Sequence, residues 1–175
     1  MKLDTKLNLY SNAHHSLLDK VTLKKRKEMI QIIKDYIQND IIDDVLDVGS
    51  TDDDDNESSN FIVKNLGNFK IYKSISDQKI ESKFFSKSLQ KSITAELTDE
   101  EINSFRSDLV ISSATIEHVG SFDNQIQMCK NIINLSKKYF VISTPNRFYP
   151  LDFHTKIPFL HWLPSKIYRP ILKNI

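Results

Sequence analysis

The chain has 175 residues, 39% hydrophobic and 27% charged, which fits one soluble domain with a real core. Its 24 basic and 23 acidic residues leave a net charge of +1, which argues against a broad electrostatic surface for nucleic acid. A single cysteine, Cys129, excludes an internal disulfide. With no apolar leader and no run near the ~20 apolar residues of a membrane span, the cytoplasm is the expected compartment.

Residues 1–40 read as an N-terminal helical segment. Leu17, Leu18, Val21, Met29, Ile32, Ile33 and Tyr36 recur near the 3.6-residue period over 14–38. The intervening run Lys24-Lys25-Arg26-Lys27 reads as a solvated helix face. Residues 41–145 then read as an α/β core. Val45-Leu46-Asp47-Val48-Gly49-Ser50 is a short apolar strand ending in an acidic residue and a glycine, the usual place for a nucleotide-like cofactor. The loop that follows, Ser50-Thr51-Asp52-Asp53-Asp54-Asp55-Asn56, repels phosphate. An EF-hand reading fails, because Glu57 and Val63 stand where Gly and Glu are required. The plain reading is a solvated acidic loop that caps the next helix.

That helix fits 57–66, with Gly67 as its C-terminal cap. Period-two alternation over 69–75 gives a second strand ending near Asp77. A poorly defined helix or loop covers 78–90, a short third strand fits 92–95, and 98–105 is a helical turn or loop. Asp108-Leu109-Val110-Ile111-Ser112-Ser113 is a fourth strand whose continuous apolar centre implies burial on both faces. A helix over 121–137 carries a stripe of Phe122, Ile126, Met128, Cys129, Ile132, Ile133 and Leu135. Residues 139–144 form a fifth strand stopped by Pro145. The alternation predicts a Rossmann-like, doubly wound, mostly parallel α/β sheet with its ligand crevice along one edge. Residues 146–175 differ, carrying four of the five prolines and Phe148, Tyr149, Phe153, Phe159, Trp162 and Tyr168, so a long regular helix or central strand is excluded.

The first strand with its glycine, Asp77, the run Ser112-Ser113-Ala114-Thr115-Ile116-Glu117-His118-Val119-Gly120 and the turn Ser143-Thr144-Pro145-Asn146-Arg147 converge on one family. Over roughly 41–165 the chain resembles the class I S-adenosylmethionine-dependent methyltransferases, closest to small-molecule methyltransferase domains whose fourth strand ends in a Glu-His pair. The resemblance implies S-adenosylmethionine as cofactor, which carries a sulfonium, an ammonium, a carboxylate and a ribose but no phosphate. It implies cofactor-binding roles for Asp47, Gly49, Ser50, Asp77, Ser113 and Ala114, with Asp77 accepting from the ribose hydroxyls. A turn or helix N-cap is the plain reading of Asp77.

Glu117 and His118 fall at the expected catalytic rim. Methyl transfer is a direct displacement, so alignment is the main task, and His118 suits the base where the acceptor must lose a proton. Packing against the next helix is its structural alternative. Asn146, Arg147 and His154 are the candidate acceptor-binding residues, on a proline- and aromatic-rich segment that would form an acceptor wall or lid. Arg147 suits a carboxylate or phosphate, or a structural ion pair. No resident metal is expected, since His154, His161 and Asp152 lack further ligands at suitable spacing.

The implied partner is a small-molecule acceptor, with no nucleic acid. Peripheral membrane contact through Phe159-Leu160-His161-Trp162-Leu163-Pro164, Lys166 and Arg169 is a further option. The family's second and third loop glycines are missing, which supports an alternative reading: a non-catalytic binding or scaffold module with a degenerate cofactor loop. Family domains also add two strands beyond the fifth. The sequence ends at Ile175, about where those would begin, so an exposed sheet edge and a homodimer are expected.

Overall fold

Side-chain alternation along β1 (Asp44–Val48) sends Val45 to one face of a sheet and Leu46 and Val48 to the other, and all five residues are buried. A strand dry on both faces needs strands on both sides and helices above and below. The structure, a computed structural model, describes residues 17–38, 40–146 and 162–163 and supplies both. β1 is flanked in parallel by β2 (Ile71–Ser76) and β4 (Ser107–Ser113). Outside them lie β3 (Lys87–Gln90) and β5 (Ser136–Ser143), also parallel. The order is β3-β2-β1-β4-β5.

Helices cover both faces. α1 (Leu17–Ile37) and α2 (Phe61–Leu66) bring Ile30, Ile33, Ile62, Val63 and Leu66 against Val45, Leu109 and Ile111. α3 (Asp99–Phe105) and α4 (Phe122–Leu135) bring Phe105, Met128, Ile132 and Leu135 against Leu46, Val48, Ile75 and Val110. The domain is a Rossmann-like, doubly wound α/β fold. α3 starts with a full capping box between Thr98 and Glu101, and α4 with Ser121 accepting from the Asn124 amide. No helix among the described residues is long and apolar enough to cross a membrane.

Three expectations need correction. The third strand is Lys87–Gln90, while 92–95 is a turn whose Ile93 and Ala95 carbonyls accept from Asn131 Nδ2 at 2.6 and 2.8 Å. The strand escapes a periodicity search because it is a polar edge strand, with only Leu89 packed inward. Gly67 does cap the C-terminus of α2, in an extended conformation with φ 172°. On α4, Phe122, Ile126 and Ile133 are exposed, and on α1 so are Ile32 and Tyr36. The buried stripes run instead through Met128, Asn131, Ile132 and Leu135, and through Ile30 and Ile33.

The acidic loop also behaves differently. α2 begins at Asn60 with no side-chain cap. Asp52 and Asp54 turn instead to the connection between β2 and β3, which has no helix. Asp52 Oδ1 accepts from the Glu81 and Ser82 amides at 2.7 and 2.8 Å, and Asp54 Oδ1 from Ser82 Oγ at 2.6 Å. Ile80, Phe84 and Phe85 of that connection pack into the α1/α2 core, where a crossover helix would otherwise sit. Carboxylates here satisfy amides that a helix would have satisfied internally.

At the N-terminal edge of the sheet, Asp44 is the shared anion. Its carboxylate accepts from Lys73 Nζ at 2.7 Å, the Asp108 amide at 2.9 Å and Lys137 Nζ at 3.2 Å, with its side chain 7% exposed. Burial pushes this carboxyl up, but the Lys73, Asp108 and Lys137 bonds outweigh it and hold it at about 2, against 3.8 ordinarily. A depressed carboxyl stabilises above its unfolded value and loses that contribution as pH falls through the folded one. We expect about 2 kcal/mol to be lost between roughly pH 4 and pH 2, read from urea denaturation against pH. Asp44→Ala, which leaves the buried Lys73 ammonium the Arg106 carbonyl but no carboxylate, should cost about 3–5 kcal/mol at pH 7 by the same measurement.

Candidate functional site

All five strands run the same way, so their C-terminal ends share one edge of the sheet. The chain leaves β1 toward β2 and leaves β4 toward β5, which makes the β1/β4 junction the topological switch point where doubly wound sheets bind ligands. Topology thus brings Gly49, Ser50, Asp77, Ala114, Glu117, His118 and Asn146 to one edge. Arg147 and His154 lie outside the described residues.

Gly49 leaves β1 with φ +89°, a conformation that disfavours a side chain, and its amide donates to the Ile75 carbonyl at 2.8 Å. Behind this turn sits Asp47, buried on the Val45 face. Among the described residues its carboxylate is hydrogen-bonded by Ser50 alone, whose Oγ lies 2.7 Å from Asp47 Oδ2. Burial pushes the Asp47 carboxyl up to about 6, and the Ser50 hydroxyl offsets this only in part. Ser50 is itself 2% exposed, and its carbonyl accepts from Ser76 Oγ at 2.8 Å. Asp47 and Ser50 therefore shape the turn from within. Asp77 is different: it directly follows β2 and its side chain is exposed.

After β4 the chain turns sharply. Ala114 adopts φ 55°, a left-handed conformation that costs a non-glycine residue about 1 kcal/mol. Its amide bonds the Ser143 carbonyl at 2.8 Å, and Ser143 Oγ donates to Ser113 Oγ at 3.1 Å, so the ends of β4 and β5 are locked together. A short 3-10 turn, Ile116–His118, follows. His118 and Asn146 are exposed. Glu117 Oε2 accepts from Thr144 Oγ1 at 3.1 Å, while its Oε1 is buried with no hydrogen-bond partner among the described residues.

Thr115 matters here although the motif reading passed over it. A Cβ added to Gly49 would lie 2.2 Å from Thr115 Oγ1 and 2.7 Å from Thr115 Cγ2. The hydroxyl lies within reach of the Val48 and Ser113 carbonyls, at 3.2 and 3.3 Å. The space over the glycine thus holds a threonine, wedged between the two strand ends at the switch point. Residue type and spacing carry no signal for a contact between loops 66 positions apart.

Fold and edge together define a doubly wound α/β domain with a carboxylate- and hydroxyl-bearing crevice. No protein-family model and no curated protein matches the chain, so its own residues carry the functional reading. Among the described residues no group of three or more His, Cys, Asp or Glu is placed to hold a metal ion.

Two variants test this geometry. Gly49→Ala should cost about 2–4 kcal/mol in urea denaturation, combining backbone strain with the Thr115 clash. Adding Thr115→Ala should recover the steric part alone, a coupling visible in a double-mutant cycle. Asp47→Asn should act oppositely. With a folded value of about 6 above the ordinary 3.8, Asp47 favours folding most below about pH 4 and loses that contribution as pH rises through about 6. The asparagine variant should be more stable than the parent by about 1–2 kcal/mol at pH 7.5, with the gap closing by pH 4.

Proposed function

We propose that the domain is an S-adenosylmethionine-dependent methyltransferase acting on a small-molecule acceptor. The observation that carries this reading is the chemistry of the switch-point edge. A single-glycine turn lies beside an exposed carboxylate after β2, Asp77, and a carboxylate with an unpaired oxygen after β4, Glu117. Carboxylates repel phosphates and favour hydroxyls and cations, which matches a ribose next to a sulfonium and disfavours a dinucleotide. When bound, the cofactor would supply an electrophilic methyl group. Asp77 would accept from the ribose hydroxyls, and the Gly49 turn would face the amino-acid end, with Asp47 and Ser50 holding that turn from behind. Ser113 and Ala114 would flank the adenosine or the methionine moiety. His118 and Asn146 are exposed on adjacent turns and would meet the acceptor, together with Arg147 and His154.

A second reading has one observation in its favour. Thr115 occupies the space over Gly49, as a chain that had lost its ligand would allow, and that suits a non-catalytic binding module. Calorimetric titration with S-adenosylmethionine and S-adenosylhomocysteine separates the two. The enzyme reading expects micromolar binding of both, weakened about tenfold or more by Asp77→Ala without loss of thermal stability. Absence of binding to a folded sample would leave only the module.

A further inference from the structure

Glu117 presents a problem that the rest of the edge does not. One oxygen, Oε2, is tied to Thr144 Oγ1 at 3.1 Å; the other, Oε1, is buried and meets no donor among the described residues. A buried acceptor left unpaired is costly and rare in folded proteins, and where one persists a missing partner is the first explanation. The position narrows what that partner can be. Glu117 lies four residues beyond the last residue of β4, on the crevice edge, and the Thr144 bond fixes it toward the end of β5. The backbone leading to it passes through left-handed Ala114, strain that marks a place where geometry is held against local preference. His118 next to it is exposed to solvent.

We infer that Glu117 Oε1, rather than His118, takes the proton of the acceptor, and hence that the acceptor is methylated on an oxygen or nitrogen that carries a proton. This rests on the methyltransferase reading. As the new O–CH3 or N–CH3 bond forms, the S–CH3 bond breaks and its electron pair stays on sulfur. The nucleophile's proton, made strongly acidic by that bond formation, moves to Glu117 Oε1 and is later lost to water. A carboxylate can take this proton because the acid it faces exists only as the transfer proceeds. Acceptors that attack as preformed anions, through an enolate carbon or a thiolate, give Oε1 no donor and are excluded.

The base must face the site of transfer, and this is testable without the acceptor. In the amino analogue of the cofactor a carbon bearing an ammonium replaces the methylsulfonium, placing a donor cation where the methyl would be. The parent chain should bind this analogue at least about tenfold more tightly than S-adenosylhomocysteine. Glu117→Gln should reduce that preference to about threefold or less, leave S-adenosylhomocysteine affinity unchanged and cost no thermal stability. Thr144→Val, which frees Oε2 without removing the charge, should keep the preference and serves as the second variant if Glu117→Gln does not fold. An unchanged preference in Glu117→Gln overturns the assignment and leaves the methyltransferase reading standing. Failure of the folded parent chain to bind either compound overturns both.

Discussion

Everything at the switch-point edge depends on the relative height of strands that share Asp44 as an anchor. Its two oxygens are shared among Lys73 of β2, the Asp108 amide of β4 and Lys137 of β5, so one carboxylate on β1 ties four of the five strands at their starts. Asp108 returns the bond by accepting from the Asp43 amide at 2.9 Å. Parallel strands lack the short hairpin turns that would fix their stagger. Here charge-assisted bonds supply that stagger, and the opposite ends of the same strands fall into register at the site.

β1 therefore carries two buried aspartates, three positions apart, with opposite fates. Asp44 is surrounded by donors and stays ionised far into acid; Asp47 has one hydroxyl and is pushed toward neutrality. The contrast separates the two ends of the sheet. At one end a buried carboxylate is ringed by ionic partners and serves stability, while at the other a buried carboxylate meets a single hydroxyl among the described residues. Glu117 Oε1 continues the pattern on β4's side of the crevice.

Most of the architecture was legible because burial on both faces leaves continuous apolar runs. Val45-Leu46 and Leu109-Val110-Ile111 mark the two central strands, and every structured helix began near a recognisable change of pattern. What escaped was decided by contacts between distant segments. β3 is too polar to announce itself. The amphipathic stripes on α1 and α4 were drawn too wide, since periodicity cannot tell Ile132, in the core, from Ile133, in solvent. At the site, residue chemistry located the edge and its acidic groups. Burial then reversed the outlook of Asp47 and Ser50, and only geometry could show Thr115 lying on Gly49. The Glu-His pair was visible, but which of its atoms lacks a partner was not.

The helix-free connection between β2 and β3 has one more consequence. Two of its amides, those of Glu81 and Ser82, are held by Asp52 on another loop, in place of the helical ladder that would slow its opening. Amide hydrogen exchange across 77–86 would then proceed by a local unfolding event well below the global free energy. Asp77 stands at the start of that stretch, so a molecule gripping it would be gripping the least secured part of the sheet. Ligand capture and the ordering of this connection become one thermodynamic event, and the acidic loop sets how much of the binding energy that ordering consumes.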